Sequence, residues 1–399
     1  MGIPSSFKGL PKEIWFLFVT TIVSRMGQMV LPFLAIHLTS LGIGVGEASL
    51  VVTAYGLGAL VTSPIAGVLC DRVGPLYVMK RSLFLQGLTL ILFLFVHSFV
   101  SFIGIALLWG LVGEAFRPAS FAFISDLTNE KQRRVSFALN RTAINVGMSI
   151  GPAFGGVFAH FRPSLLFLAN SATSLLAGAF LTVSLWSHKT HQLDAETKDR
   201  IEPHRDLSVL TDHRLVYLLC ALAPAFVVFF QYRAAMPQYL VHEHHMEKYL
   251  FGLLFTINTV LVIALEAPLN SVLQKWPDRI SMSLGALLIG IGFASFGITT
   301  SFYGAAVCVV IWTFGEMALI SSSSAYISKI AGRQKGKYMG LYYTAFNFAA
   351  FIGPLGGYIL KYNASLLWML TLILGSFSAF LLIRHAREPV VAFPVAPAG

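Results

Sequence analysis

Apolar runs of membrane-spanning length recur along the whole chain, and no other feature restricts its fold so strongly. A helical crossing needs about 20 apolar residues. Runs of that length fall near residues 14–40, 47–70, 76–97, 99–126, 135–160 and 164–186. A second set follows near 214–240, 249–274, 280–300, 302–328, 337–360 and 364–385. Of the 399 residues, 56% are hydrophobic and 12% are charged. A soluble chain carries roughly 25% charged residues, and one this apolar would have to turn much of that surface toward water. The runs predict an all-α membrane protein of twelve transmembrane helices.

The breaks between runs carry the polar residues. The formal net charge of +10 comes from 28 Lys and Arg against 18 Asp and Glu. Because these lie in short clusters between apolar runs, they point to a membrane and to lipid as partner, and away from nucleic acid. The outer loops hold only Arg162, Lys248 and Lys361, so the positive-inside rule predicts both termini in the cytoplasm of a plasma (inner) membrane. Lys8 and Lys12 precede the first run as in a signal peptide, but the run is too long for one and no cleavage pattern follows. Cys70, Cys220 and Cys308 fit no metal spacing and read as small buried hydrophobes. Segment 187–213 is polar and reads as a cytoplasmic linker, with a six-helix bundle before it (1–186) and another after it (214–386). Residues 387–399 read as a tail.

The two sets of runs repeat one another. Gly113-Glu114 recurs as Gly315-Glu316, Asn145 as Asn347, and Gly151-Pro152 as Gly353-Pro354, all at one constant offset. Pro64 recurs as Pro268 at nearly the same offset. Shared order over whole halves predicts two pseudosymmetric six-helix bundles, with a small-molecule site at their interface near mid-membrane.

Three motifs carry a family resemblance. The second and third runs are joined by Ser63 to Gly74, S-P-I-A-G-V-L-C-D-R-V-G. The fourth ends P-A-S-F-A-F-I-S-D at Asp126, and the fifth contains G-M-S-I-G-P-A-F-G-G from Gly147 to Gly156. Together they resemble the major facilitator superfamily, and within it the twelve-span drug/proton antiporters. The resemblance covers essentially the whole chain. It implies that Gly67, Asp71, Arg72, Gly74 and Asp126 form a conformational latch, and that Gly147, Gly151, Pro152, Gly155 and Gly156 form an antiporter-like packing motif. Physically, small residues let helices approach closely. Two departures stand out. Pro75 and Leu76 occupy the family's basic positions after Gly74, leaving Lys80 and Arg81 as substitutes, and Ala106 stands where drug antiporters have Arg.

Charges inside spans are costly and mark function by default. They are Arg25, Glu114, Arg117, Arg141, Arg233, Glu266 and Glu316. Glu114 lies twelve residues from Asp126, hence about 18 Å above the cytoplasmic end. Arg117 shares its helical face. Glu266 and Glu316 have no basic neighbour on their own helices, so they are expected to load protons unless an Arg approaches from elsewhere. The arginines pair either with these acids or with an anionic substrate. Asn145, Asn258, Gln231 and Asn347 are expected cavity hydrogen-bonders. His242, His244 and His245 read as a solvated loop, and no metal site is expected.

The chain is thus expected to be a monomeric secondary transporter, not an enzyme, with no cofactor beyond a proton gradient. Proton-coupled efflux of a small amphipathic molecule is the leading expectation. Movement of a defined metabolite (siderophore, peptide or sugar), or a transport-inactive receptor or assembly role, is the alternative.

Overall fold

In hydrocarbon only intramolecular bonds satisfy the backbone, and a helix satisfies nearly all of its own. Each apolar run accordingly forms a helical rod. The computed structural model describes residues 9–185, 211–299, 301–331 and 335–385. Most of the expected linker and the whole tail lie outside the described residues.

The first half contains α1 (Lys12–Gly27), α2 (Val30–Ser40), α3 (Val45–Val73), α4 (Pro75–Leu92), α5 (Phe99–Gly113), α6 (Phe116–Leu127), α7 (Glu130–Phe161) and α8 (Ser164–Ser184). The second contains α9 (His213–Phe229), α10 (Lys248–Leu273), α11 (Asp278–Ala294), α12 (Phe302–Ile330), α13 (Lys335–Ile352), α14 (Gly356–Leu360) and α15 (Ala364–His385). Successive helices α1–α2, α5–α6 and α13–α14 each share one rod. Among the described residues ten rods are long and apolar enough to cross a membrane. The other two, α4 and α13–α14, sit at expected spans and start with basic residues: Lys80 and Arg81 in α4, Lys335 and Lys337 in α13. The outside is apolar, with Leu176 63% and Val307 59% exposed, a surface that suits lipid rather than water.

Among the described residues four rods are broken. The first breaks after Gly27, the fourth at Glu114–Ala115, the seventh becomes a 3-10 turn at Phe230–Arg233, and the eleventh does so at Gly353–Leu355. Gln231 ties the last two together, donating its Nε2–H to the Gly353 carbonyl at 2.9 Å. The breaks in the first and seventh rods fall at equivalent places in the repeat. Glu114 and Glu316 are also equivalent, yet α12 runs unbroken through Glu316.

Within the first half α1 packs on α7 and α8, α4 on α8, and α3 on α5. Within the second α11 packs on α12 and α15, and α9 on α15. Between halves α3 meets α13–α14 and α7 meets α10. The end at which α1 begins is called here the terminal face, and the opposite end the distal face. Contact between halves concentrates toward the distal face. A Cβ on Gly46 would lie 2.7 Å from Tyr358, and one on Gly56 would lie 2.8 Å from the Phe351 Cα. One on Gly252 would lie 2.6 Å from the Pro152 oxygen. Lys361 Nζ reaches Glu47 Oε1 at 3.1 Å, and His160 Nδ1 lies 3.2 Å from Glu247 Oε2.

The same helices part toward the terminal face. Following the α3–α13 register down from Gly46 and Gly56 brings Gly67 opposite Gly340, and a Cβ on either would meet nothing within 4 Å. Close approach at Gly67, expected from its motif, is therefore absent in this conformation. The cores agree: one buried cluster joins both halves, including Phe33, Val51, Phe230 and Phe251, while a separate one around Ile14, Met79, Phe123 and Leu181 belongs to the first half alone.

Outside the spans, Asp212 caps α9 by accepting the Arg214 N–H at 2.9 Å and the Tyr338 hydroxyl at 2.5 Å. Burial raises its pKa, but these bonds outweigh burial and hold it below the usual value. This stabilisation is present above the ordinary Asp range and lost as pH falls through the depressed pKa. Asp212→Ala should cost about 1 kcal/mol, read as a lower melting temperature at pH 7 with a smaller difference under acid conditions.

The distal seam also generates a prediction. Gly252→Leu cannot fit against the Pro152 backbone and should push the protein out of this conformation. The pair Gly67→Cys and Gly340→Cys, read with a short bifunctional crosslinker, should then react several-fold faster than in the otherwise unchanged protein. An unchanged rate would contradict the seam.

Candidate transport site

The breaks in the first, fourth and seventh rods bring Arg25, Glu114 and Arg233 to one place inside the bundle. Glu114 accepts a hydrogen bond from the Tyr55 hydroxyl at 2.5 Å. Arg25, Arg117 and Arg233 all act electrostatically on that carboxylate. None of the three reaches salt-bridge distance of an acid among the described residues. Arg117 lies over the Tyr343 ring of the other half, 5.1 Å from its centroid. Arg233 lies 4.6 Å over Phe230 and donates to the Tyr232 hydroxyl at 3.1 Å. Arg25 is only 7% exposed, and its Nε has no hydrogen-bond partner.

Two cavities meet at Glu114. The smaller, about 80 Å³, is lined by Arg25, Tyr55, Tyr232, Arg233 and Asn258 among others. The larger, about 590 Å³, has mostly apolar walls from both halves, including Leu60, Phe121 and Tyr343, with Arg117 and Asn347. Gly340 is among its walls, which places it on the side where the halves part.

For Glu266 the exception applies, because an Arg does approach from elsewhere. Arg141 of the first half pairs with it directly, and Ser321 donates to the same oxygen at 3.2 Å. Helix spacing shows only neighbours along one helix, so this partner from α7 was invisible in sequence. Glu316 differs: its Oε2 accepts from Asn258 Nδ2 at 2.9 Å, and Asn258 also donates to Thr313 Oγ1 at 2.9 Å. Arg141 and Glu266 act on Glu316 through space without a direct bond. Asn145 is half-buried one turn beyond Arg141.

The glycine motif faces the first rod. A Cβ on Gly147 would lie 2.5 Å from Arg25 Cβ, one on Gly151 2.6 Å from the Met26 oxygen, and one on Gly155 2.8 Å from Met29 Cβ. Gly147 thus makes room for Arg25, and Pro152 lines the small cavity. Gly156 faces the other half, where its Cβ would lie 2.8 Å from the Lys248 oxygen.

At the terminal face Gly74 adopts φ 86°, the left-handed conformation glycine permits, and turns α3 into α4. Asp71 and Asp126 are near enough to act on one another, with Arg133 acting on Asp126 as well. Arg72 and Asp71 are exposed. Arg81 stacks over Tyr77 of its own helix at 5.0 Å. Among the described residues no cluster suited to a metal ion occurs. Sequence reasoning missed Tyr55 and Tyr232, because a tyrosine in an apolar run carries no signal that its hydroxyl has an ionic partner.

This architecture has recognisable relatives. The family model for the Major Facilitator Superfamily matches residues 16–354 and, again, 218–397. A Na(+), Li(+), K(+)/H(+) antiporter of Planococcus maritimus is 26% identical, over 82% of this chain and 84% of its own. Multidrug resistance protein 2 of Bacillus subtilis (strain 168) is 26% identical, over 88% and 90%. A crystal structure of an auto-inhibited POT family peptide transporter superimposes with TM-score 0.78 at 14% identity, covering 97% of this chain and 99% of that one. The chain belongs to the major facilitator superfamily and is a multi-pass integral membrane transporter, not an enzyme.

Proposed function

We propose that the protein has twelve spans, that its terminal face is cytoplasmic, and that it exports a small amphipathic molecule in exchange for protons by alternating access. One observation carries the alternating-access reading: closure of the halves at one end only. Gly56 and Gly252 approach the backbone of the other half and Gly46 packs on the Tyr358 side chain near the distal face, while Gly67 and Gly340 face open space at the other. Rocking the halves closes one seam as it opens the other, and the 590 Å³ cavity lies between the two ends. Antiport and drug export are supported by the named activities of the two relatives.

Glu316 is the proposed coupling group. Its direct partner is a neutral amide, whereas Glu266 has Arg141 and Glu114 has three guanidiniums near it. Asn258 lines the small cavity while holding Glu316. An ionised Glu316 engages the amide, and protonation weakens that bond and frees Asn258 to meet a ligand. Proton and substrate thereby compete through one side chain.

Two measurements test this reading. In proteoliposomes, Glu316→Gln should reduce pH-driven flux at least about tenfold while leaving substrate exchange without a gradient intact, because Gln keeps the shape but not the proton. Glu266→Gln should instead lower the melting temperature by unpairing Arg141. PH-driven flux at the normal rate in Glu316→Gln would rule this residue out. Separately, a cysteine introduced within 187–213 should need a membrane-permeant reagent in intact cells, and labelling by an impermeant one would reverse the assigned sidedness.

A further inference from the structure

The central cavity holds more positive charge than its own carboxylates answer. Around Glu114 stand Arg25, Arg117 and Arg233, and Glu114 is already engaged by Tyr55. Farther from Glu114 stand Arg141, Glu266 and Glu316, of which the first two pair with each other. Four guanidiniums then face three carboxylates. Arg117 and Arg233 are partly compensated by aromatic faces. Among the described residues no aromatic face covers Arg25, which is buried and leaves its Nε unpartnered beside the small cavity. A buried guanidinium donor without an acceptor is costly, and an oxyanion is the acceptor whose negative charge and paired oxygens fit the planar guanidinium fork.

We propose that the transported molecule carries an oxyanion group (carboxylate, sulfonate or phosphate) that docks between Arg25 and Arg233, with its apolar body in the larger cavity. This rests on the transporter reading above and adds the substrate class to it. The dimensions divide the ligand in the same way. About 80 Å³ admits a head group of a few heavy atoms, and about 590 Å³ beyond Glu114 admits an aromatic body. Tyr232 supplies a further hydroxyl at the small cavity: its oxygen accepts from Arg233, which leaves its own hydrogen to donate. A cationic head group would enter a field of three guanidiniums relieved by one carboxylate, so a purely cationic drug is the wrong ligand for this end of the site. Gly147 keeps the place of Arg25, since a side chain there would collide with the Arg25 Cβ.

The test is equilibrium binding to the full-length purified protein, with no gradient imposed. The probes share one apolar body: 2-naphthoate, 2-naphthalenesulfonate and 2-naphthyl phosphate, against 2-naphthamide and 2-naphthylmethylamine. The acids should bind at least about tenfold more tightly than the amide and the amine, and their ranking identifies the preferred oxyanion. Arg233→Gln and Arg25→Gln should each weaken the best acid about tenfold and leave the amide unchanged, while Arg25→Lys, which keeps the charge, retains part of the preference. Three results would each overturn the proposal: an amine that binds as tightly as the acids, Arg variants that weaken amide and acid equally, or no binding by any probe. None of these touches proton-coupled export, which is read from flux. Tight acid binding in a protein that moves no protons would sink that reading and leave this one standing.

Discussion

A guanidinium inside a membrane protein has no water to shed its charge into, and the centre of this structure is arranged around that constraint. Arg25 is buried where the first rod breaks, Arg233 where the seventh does, and Glu114 where the fourth does. Broken helices are tolerated at membrane depth only where the freed backbone faces protein or a cavity, and here charged groups and breaks share one cavity. The packing serves the same centre. Gly147 has no side chain because Arg25 needs the space, and Gln231 holds the two neighbouring breaks together.

The second constraint is the glycine seam. Backbone atoms of α3 and α13, and of α7 and α10, approach so closely near the distal face that a methyl group would collide. A seam of this kind is all-or-none: it is either in register or apart, which is what a two-state movement of rigid bundles needs. Farther along α3 and α13, Gly67 and Gly340 have the same lack of side chain with nothing against them. Two glycines at matching heights with no present use make sense as the contact of the other state.

Much of this was legible in the sequence. Apolar runs placed the ten rods that are long and apolar enough to cross a membrane among the described residues, since one period and one length are enough to specify a membrane helix. The repeat of Gly113-Glu114 and Gly151-Pro152 foretold two halves, and costly charges pointed to Arg25, Glu114 and Arg233. What escaped was whatever depends on two distant helices meeting. Arg141 and Glu266 lie far apart in the chain, and nothing in either helix names the other. The role of Tyr55 was hidden for the same reason. Asn258 was expected to be a cavity hydrogen-bonder, but its link to Glu316 needed α10 and α12 side by side. The break at Glu114 had no signal either, because Glu316 occupies the equivalent place in an intact helix.

Alternating access requires that one site be reached from both faces in turn. Thr344 lines the large cavity, and Thr344→Cys in oriented proteoliposomes gives a direct reading with an impermeant maleimide. Reaction is expected from the terminal face in this conformation, and from the distal face when closure of the distal seam is blocked, but not freely from both at once. Reaction from only one face under every condition would contradict alternating access.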